Sequence, residues 1–268
     1  MHKTFPIPTL LSLLLIGLGT AVYTQAASLE DSVTHQFSAA EFERVEVSNI
    51  NGSITCTGDA SDQIELIAIR KVRAGSDSDA ESYLEQIQID IKPDGSTLKV
   101  ETKLPRKQGG FWQWVTGSQL NATVEYQLRV PAGMNVGLDS VNGSISADAL
   151  EGSVNIETVN GRIHASNLHA KAQMETVNGS IECSFASDAS FESLSFETVN
   201  GSIKVKLPAN AAFDLDIETV NGGIHCDFDL PADAVHKRRE LHARINGGGP
   251  RVKLETVNGS ASVKALEI

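Results

Sequence analysis

Apolar and polar residues alternate with a period of two along most of the chain, which is the signature of half-buried strands. In the N-terminal part the alternating stretches are "FERVEVSNI", "IELIAIRKV", "IQIDI" and "TLKVET", irregularly spaced. An acidic, Ser-rich stretch between them, "SDSDAESYLEQ", predicts a short helix starting near Asp79. From Ala132 the alternation becomes a repeat whose apolar slots recur in order: Val154, Ile156, Ile163 and Ala165, then Ala172, Met174, Ile181 and Cys183, then Leu194, Phe196, Ile203 and Val205.

Each repeat is interrupted at the same point by Val-Asn-Gly. The Asn residues are Asn142, Asn160, Asn178, Asn200, Asn221 and Asn258, with a looser copy at Asn51. Their intervals are 18, 18, 22, 21 and 37 residues, the last holding a basic insertion, "HKRRELHARINGGGP". Within that insertion "INGGGP" reads as a turn between two strands. Self-similarity near 20 residues points to stacked coils. Asn-Gly is a strong turn signal because both residues tolerate positive φ.

Two architectures satisfy this pattern. One is an antiparallel β meander with a hairpin at every Asn-Gly. The other is a single-stranded parallel β-helix (β-solenoid), with Asn-Gly at one corner of each coil and "LEGS", "SNLHAK" or "LPANAAF" at the opposite corner. A hairpin needs only some turn-forming pair, whereas stacked coils favour the same residue in register, because Asn amides bond along a ladder. That favours the solenoid, with all-β class in either case. The expected layout is an irregular β region, residues 27–131, capping solenoid repeats over 132–268.

The strings "VPAGMNVGLDSVNGSI", "GSVNIETVNGRI" and "GGGPRVKLETVNGSASV" resemble the putative-adhesin family of β-strand repeats, a domain of unknown function related to the toast-rack domains of bacterial envelope proteins. The resemblance spans about Phe42 to Leu266 and is strongest from Val130 onward. It implies a single-stranded β-helix, exported or envelope-associated, with adhesion or scaffolding as its role. It brings no catalytic residues.

Residues 1–26 read as a signal peptide: Lys3, an apolar run from Leu10 to Val22, and small residues in "TQA" before Ala27. The run is shorter than the roughly 20 residues a membrane span needs. Cleavage removes one of 22 basic residues and none of 34 acidic ones, leaving a net charge of −13. Such a chain is a poor match for nucleic acid. Cys56, Cys183 and Cys226 each fall five residues after a repeat Asn, in a slot held elsewhere by Ala147, Ala165 and Val205. The slot reads as small, buried and apolar, and its thiols as inert.

Three constellations are candidates for chemistry. Three residues before each Asn stands an acid: Asp139, Glu157, Glu175, Glu197, Glu218 and Glu255. Stacking would align them about 4.8 Å apart, either as a cation-collecting edge or as a solvated face. Beside them runs a hydroxyl column, Ser140, Thr158, Thr176, Thr198, Thr219 and Thr256, expected to face inward and bond between threonines. The third is "RKQGGFWQWVTGS", in which Phe111, Trp112 and Trp114 form either a ligand site or a cap on the solenoid end.

The histidines show no metal-ligand spacing and read as isolated surface residues, so no metal and no cofactor is expected. No nucleophile elbow or phosphate loop is present. Asn-Gly-Ser spells a glycosylation acceptor at Asn51, Asn142, Asn178, Asn200 and Asn258, but glycans on adjacent coils would collide, which fits a bacterial source. Three functions remain: a non-enzymatic envelope protein binding another envelope protein or a glycan, an accessory in envelope-stress signalling, and a β-helix polysaccharide-active enzyme. End-to-end stacking of copies is a further expectation. The first function is the reading these residues support best.

Overall fold

The computed structural model describes residues 28–105 and 121–266. The signal-peptide reading of 1–26 and the Phe111, Trp112 and Trp114 loop lie outside the described residues. Before the regular repeat come β1 (Ser28–Ser38), β2 (Arg44–Asn51), β3 (Ile54–Asp59), β4 (Gln63–Arg73), α1 (Asp77–Gln86), β5 (Gln88–Asp94), β6 (Thr97–Lys103) and β7 (Asn121–Pro131). The helix starts two residues before the expected Asp79, because the Ser76 side chain caps it by accepting from the Asp79 amide.

The repeats follow as strand pairs, one strand on either side of each Asn-Gly. They are β8 (Asn135–Asn142) and β9 (Ile145–Asp148), β10 (Val154–Asn160) and β11 (Ile163–Leu168), β12 (Ala172–Asn178) and β13 (Ile181–Phe185), β14 (Leu194–Asn200) and β15 (Ile203–Leu207), and β16 (Phe213–Asn221) and β17 (Ile224–Cys226). The basic insertion forms β18 (Val235–Lys237) and β19 (Glu240–Ile245), and a last repeat supplies β20 (Arg251–Asn258) and β21 (Ala261–Ala265).

The two strands of a repeat never pair with each other. β10 lies parallel between β8 and β12 in one sheet, while β11 lies parallel between β9 and β13 in the other. The hairpin alternative is thereby excluded, and the protein is an all-β, two-sheet solenoid. Its interior is filled by the slots read from the sequence: Val154, Ile156, Ile163, Ala165, Met174, Phe196 and their equivalents are all buried. Cys56 and Cys183 are buried, all three cysteines are free, and burial pushes the Cys56 thiol up to about 12. Two strands, β15 and β21, separate Cys183 from Cys226.

One local expectation is corrected. Among the corner glycines only Gly52 has positive φ, at 117°, and no corner Asn does. Glycine is needed for a different reason: a Cβ on Gly161 would sit 2.0 Å from the Gly143 carbonyl oxygen of the preceding coil. The backbone keeps its rung-to-rung bonding around the bend, with the Gly161 amide donating to the Asn178 carbonyl and the Gly143 amide to that of Asn160. A side chain would wedge these bonds apart.

The order of the coils in space departs from their order in the chain. In the 11-stranded sheet the order is β18-β19-β16-β20-β14-β12-β10-β8-β2-β6-β5, and in the 10-stranded sheet β1-β4-β7-β3-β9-β11-β13-β15-β21-β17. The last repeat in the chain therefore inserts between the Asn200 and Asn221 coils. At the other end β6 and β7 form a coil outside that of β2 and β3, so parallel pairing runs across residue 131 without a break. Antiparallel strands flank the stack: β4 on β7 and β5 on β6 cover both sheets at one end, and β19 on β16 covers one sheet at the other, where β17 is the edge of the 10-stranded sheet.

Candidate functional site

Identical register across coils turns each repeat position into a column on the 11-stranded sheet. Along β10 the inward residues are Val154, Ile156 and Thr158, while Glu157 and Val159 face out. Parallel pairing places Glu157 beside Asp139 and Glu175, Glu175 beside Glu197, Glu197 beside Glu255, and Glu255 beside Glu218. The acids thus form one unbroken column. The next outward position forms a second column: Val141, Val159, Val177, Val199, Val257 and Val220, each 40–51 % exposed. Across five strand spacings this apolar stripe runs roughly 24 Å.

The Asn residues close the corner beside the valines. Each side-chain amide donates to its neighbour's oxygen: Asn142 to Asn51, Asn160 to Asn142, Asn178 to Asn160, Asn200 to Asn178, Asn258 to Asn200 and Asn221 to Asn258, at 2.8–2.9 Å. All bonds point one way, so the ladder is a single polar chain. Its order in space, with Asn258 before Asn221, again reports the inserted coil.

Between acids and valines lie the hydroxyls, and they are buried. They do not bond to one another as the sequence suggested. Thr158, Thr176 and Thr198 donate to the carbonyls of Gly143, Gly161 and Gly179 at 3.2, 3.2 and 2.9 Å. The unhindered glycine carbonyl of the adjacent coil is within closer reach than the neighbouring hydroxyl. Ser140 is the exception: its Oγ is buried without a partner. The Gly52 carbonyl, its equivalent acceptor, receives the side-chain amide of Asn49 at 3.1 Å instead.

The columns together line an open trough of about 1080 Å³ on the outer face. Its electrostatics are set by the acid column. Burial, with Glu157 and Glu46 close by, pushes the Asp139 carboxyl up to about 6. Asn155 and Gln173 donate to Glu157 and Glu175 at 3.2 and 2.8 Å, and Lys253 reaches both Glu197 at 3.0 Å and Glu255 at 2.9 Å. Amides and one lysine thus hold most of the row in place and leave the trough acidic.

Several histidines depart from the isolated-residue expectation. His225 pairs with Asp227 at 2.6 Å and His169 with Asp188 at 3.3 Å, and His242 lies against two carboxylates, Asp216 and Glu240, on the β16–β19 pair. The spacing Asp216-x-Glu218 marks one face of a strand, but the cross-strand partner is 24 residues further on, across the insertion. Nothing in the local spacing announces it.

These features define a class: a two-sheet parallel β-solenoid with an asparagine corner ladder and an acidic, valine-striped trough on one sheet. The chain belongs to the Toastrack family, DUF4097, whose profile matches residues 28–264. A crystal structure of a putative cell adhesion protein from Clostridium sporogenes ATCC 15579 is similar at 12% identity, with a TM-score of 0.51, covering 88% of this chain and 100% of that one. A putative adhesin from Bacteroides fragilis NCTC 9343 is similar at 10% identity and a TM-score of 0.37, covering 88% and 97%. The first of these supports the fold alone. No curated protein matches the sequence.

Proposed function

We propose that this is an exported, non-enzymatic envelope protein with an adhesin-like role, which binds a basic, extended segment of another envelope protein in the trough. The observation that carries this reading is the pairing of an unbroken carboxylate column with a parallel column of six exposed valines. Exposed apolar stripes rimmed by polar groups mark interaction surfaces. The carboxylates select a cationic partner and speed its encounter, while burial of the valines supplies affinity. A rigid hydrogen-bonded sheet spends little ordering entropy on binding. A protein segment suits the surface better than a glycan, because the stripe is aliphatic and offers no aromatic face for a sugar ring.

The test uses a nine-residue peptide alternating Lys and Val, a Glu–Val peptide of the same length, and fluorescence anisotropy. The Lys–Val peptide should bind saturably at low salt and weaken as salt rises. A Val177→Lys, Val199→Lys double variant should bind it at least about tenfold more weakly, since both like charge and lost apolar area oppose the complex. Equal binding of the two peptides, or an unaffected double variant, would overturn the reading.

A further inference from the structure

At the C-terminal end of the stack, antiparallel register sets Asp216 of β16 opposite His242 of β19, and Glu218 opposite Glu240. Alternation along each strand puts these side chains on the same outer face. One carboxylate oxygen of Asp216, one of Glu218 and one ring nitrogen of His242 lie within 4.8 Å of one another. His242 Nε2 is 2.8 Å from Glu240 Oε1, and Nδ1 is 2.8 Å from Asp216 Oδ1. That oxygen is sealed from solvent and receives no hydrogen bond. Arg251 pairs with the other oxygen, Oδ2.

The chemistry of this arrangement is unusual. In the tautomer whose Nε2–H donates to Glu240, the imidazole presents a lone pair at Nδ1. In that tautomer the lone pair faces a buried carboxylate oxygen across 2.8 Å. Two acceptors so placed call for a cation. Two ligand atoms bonded about 2.1 Å from one ion stand roughly 3.0–3.4 Å apart between right-angled and tetrahedral geometry, so Nδ1 and Oδ1 would part from 2.8 Å by a few tenths of an ångström to admit it. A carboxylate holding the far side of a ligating imidazole is the usual support of such a site.

We propose that Asp216, Glu218 and His242 bind one divalent transition ion of the Zn²⁺ class, with Glu240 as the positioning residue that orients the imidazole. The mixed nitrogen and oxygen donors favour such an ion over Ca²⁺, which takes oxygen ligands. The ion would tie β19 to β16 and so pin the antiparallel strand that covers one sheet at this end of the solenoid. The site shares Glu218 with the end of the acid column, and Glu240 also lines the trough, but ion binding is read with no trough partner present.

The experiment is calorimetric titration of the chelator-stripped mature protein with ZnCl₂, with thermal unfolding followed in parallel. The expected result is one ion per chain and a melting temperature raised by Zn²⁺. Affinity should fall at least about tenfold in His242→Gln and in Asp216→Asn, and by about tenfold in Glu240→Gln, the usual effect of losing an orienting partner. His225→Gln should bind as the parent does, because His225 pairs with Asp227 at 2.6 Å away from the cluster. Circular dichroism establishes that each variant retains its β structure. Absence of saturable binding, or affinity in His242→Gln and Asp216→Asn equal to the parent's, would overturn the proposal and leave His242 as a hydrogen-bonded bridge between two carboxylates.

Discussion

In the middle of the stack, from Asn142 to Asn200, neighbours in the chain are neighbours in space, and each coil repeats the one before it. At the two ends that correspondence fails in matching ways. The β2/β3 coil is covered by the later β6/β7 coil, and the final β20/β21 coil is covered by the earlier β16/β17 coil. At the C-terminal end the crossing is made over the start of β16 by Asn246, Gly247 and Gly248, with φ of 49°, 96° and 84°. Successive left-handed residues are what a tight crossing of this kind requires, and glycine adopts them without strain. The middle is thus a product of periodicity, and the ends are a product of connection. The result is that the last repeat of the chain is bonded on both sides, and neither of its strands is left as a fraying edge.

The sharpest way to break this contrast is to attack the close stacking that only the coils impose. A Cβ on Gly179 would lie 1.8 Å from the Gly161 carbonyl oxygen, whereas one on Gly223 meets nothing within 4 Å. Urea unfolding should show Gly179→Ala destabilised by about 4 kcal/mol or more, and Gly223→Ala within about 0.5 kcal/mol of the parent. Similar losses at both positions would mean that turn conformation, not stacking, selects glycine.

A smaller difference is expected within the hydroxyl column. Thr176→Val removes a buried donor from the Gly161 carbonyl and should cost about 1 kcal/mol. Ser140→Ala removes a buried hydroxyl that has no partner, so the same measurement should find it neutral or slightly stabilising.

The smallest effect concerns pH. The folded protein raises the Asp139 carboxyl to about 6 from an ordinary value of 3.8. Between these values the native state binds the extra proton, so stability falls as pH rises through that window. The gain is fully present below the unfolded value and is lost above about 6. Asp139→Asn should remove this slope and stabilise the protein at pH 8 by about 1 kcal/mol after allowing for solvent screening.

Much of this was legible because stacking converts period into position. The slots of Ile156 and Ile163 follow from alternation, and the asparagine, acid and hydroxyl columns follow from a shared offset to the corner. Less legible were features set by the neighbouring coil. The Asn-Gly pair suggested positive φ, while the structure uses glycine to admit a carbonyl. Threonine suggested bonding to threonine, while the nearer acceptor is that same carbonyl. The exposed valines lie one position from the asparagines, yet their exposure depends on the bend that follows them. His242 joins Asp216 only because β19 turns back on β16, a pairing of residues far apart in the chain.

By itself, then, the sequence determined the all-β class, favoured the coil over the meander, and set the asparagine, acid and hydroxyl columns, because period two and a common corner leave one register that buries the apolar face. Only the tertiary structure decided the order of the coils at the ends, the acceptors of the buried hydroxyls and the cluster around His242. Near-identical repeats offer near-identical edges, so the choice among them falls to the length and conformation of the connections and to the strands that finally cover the ends.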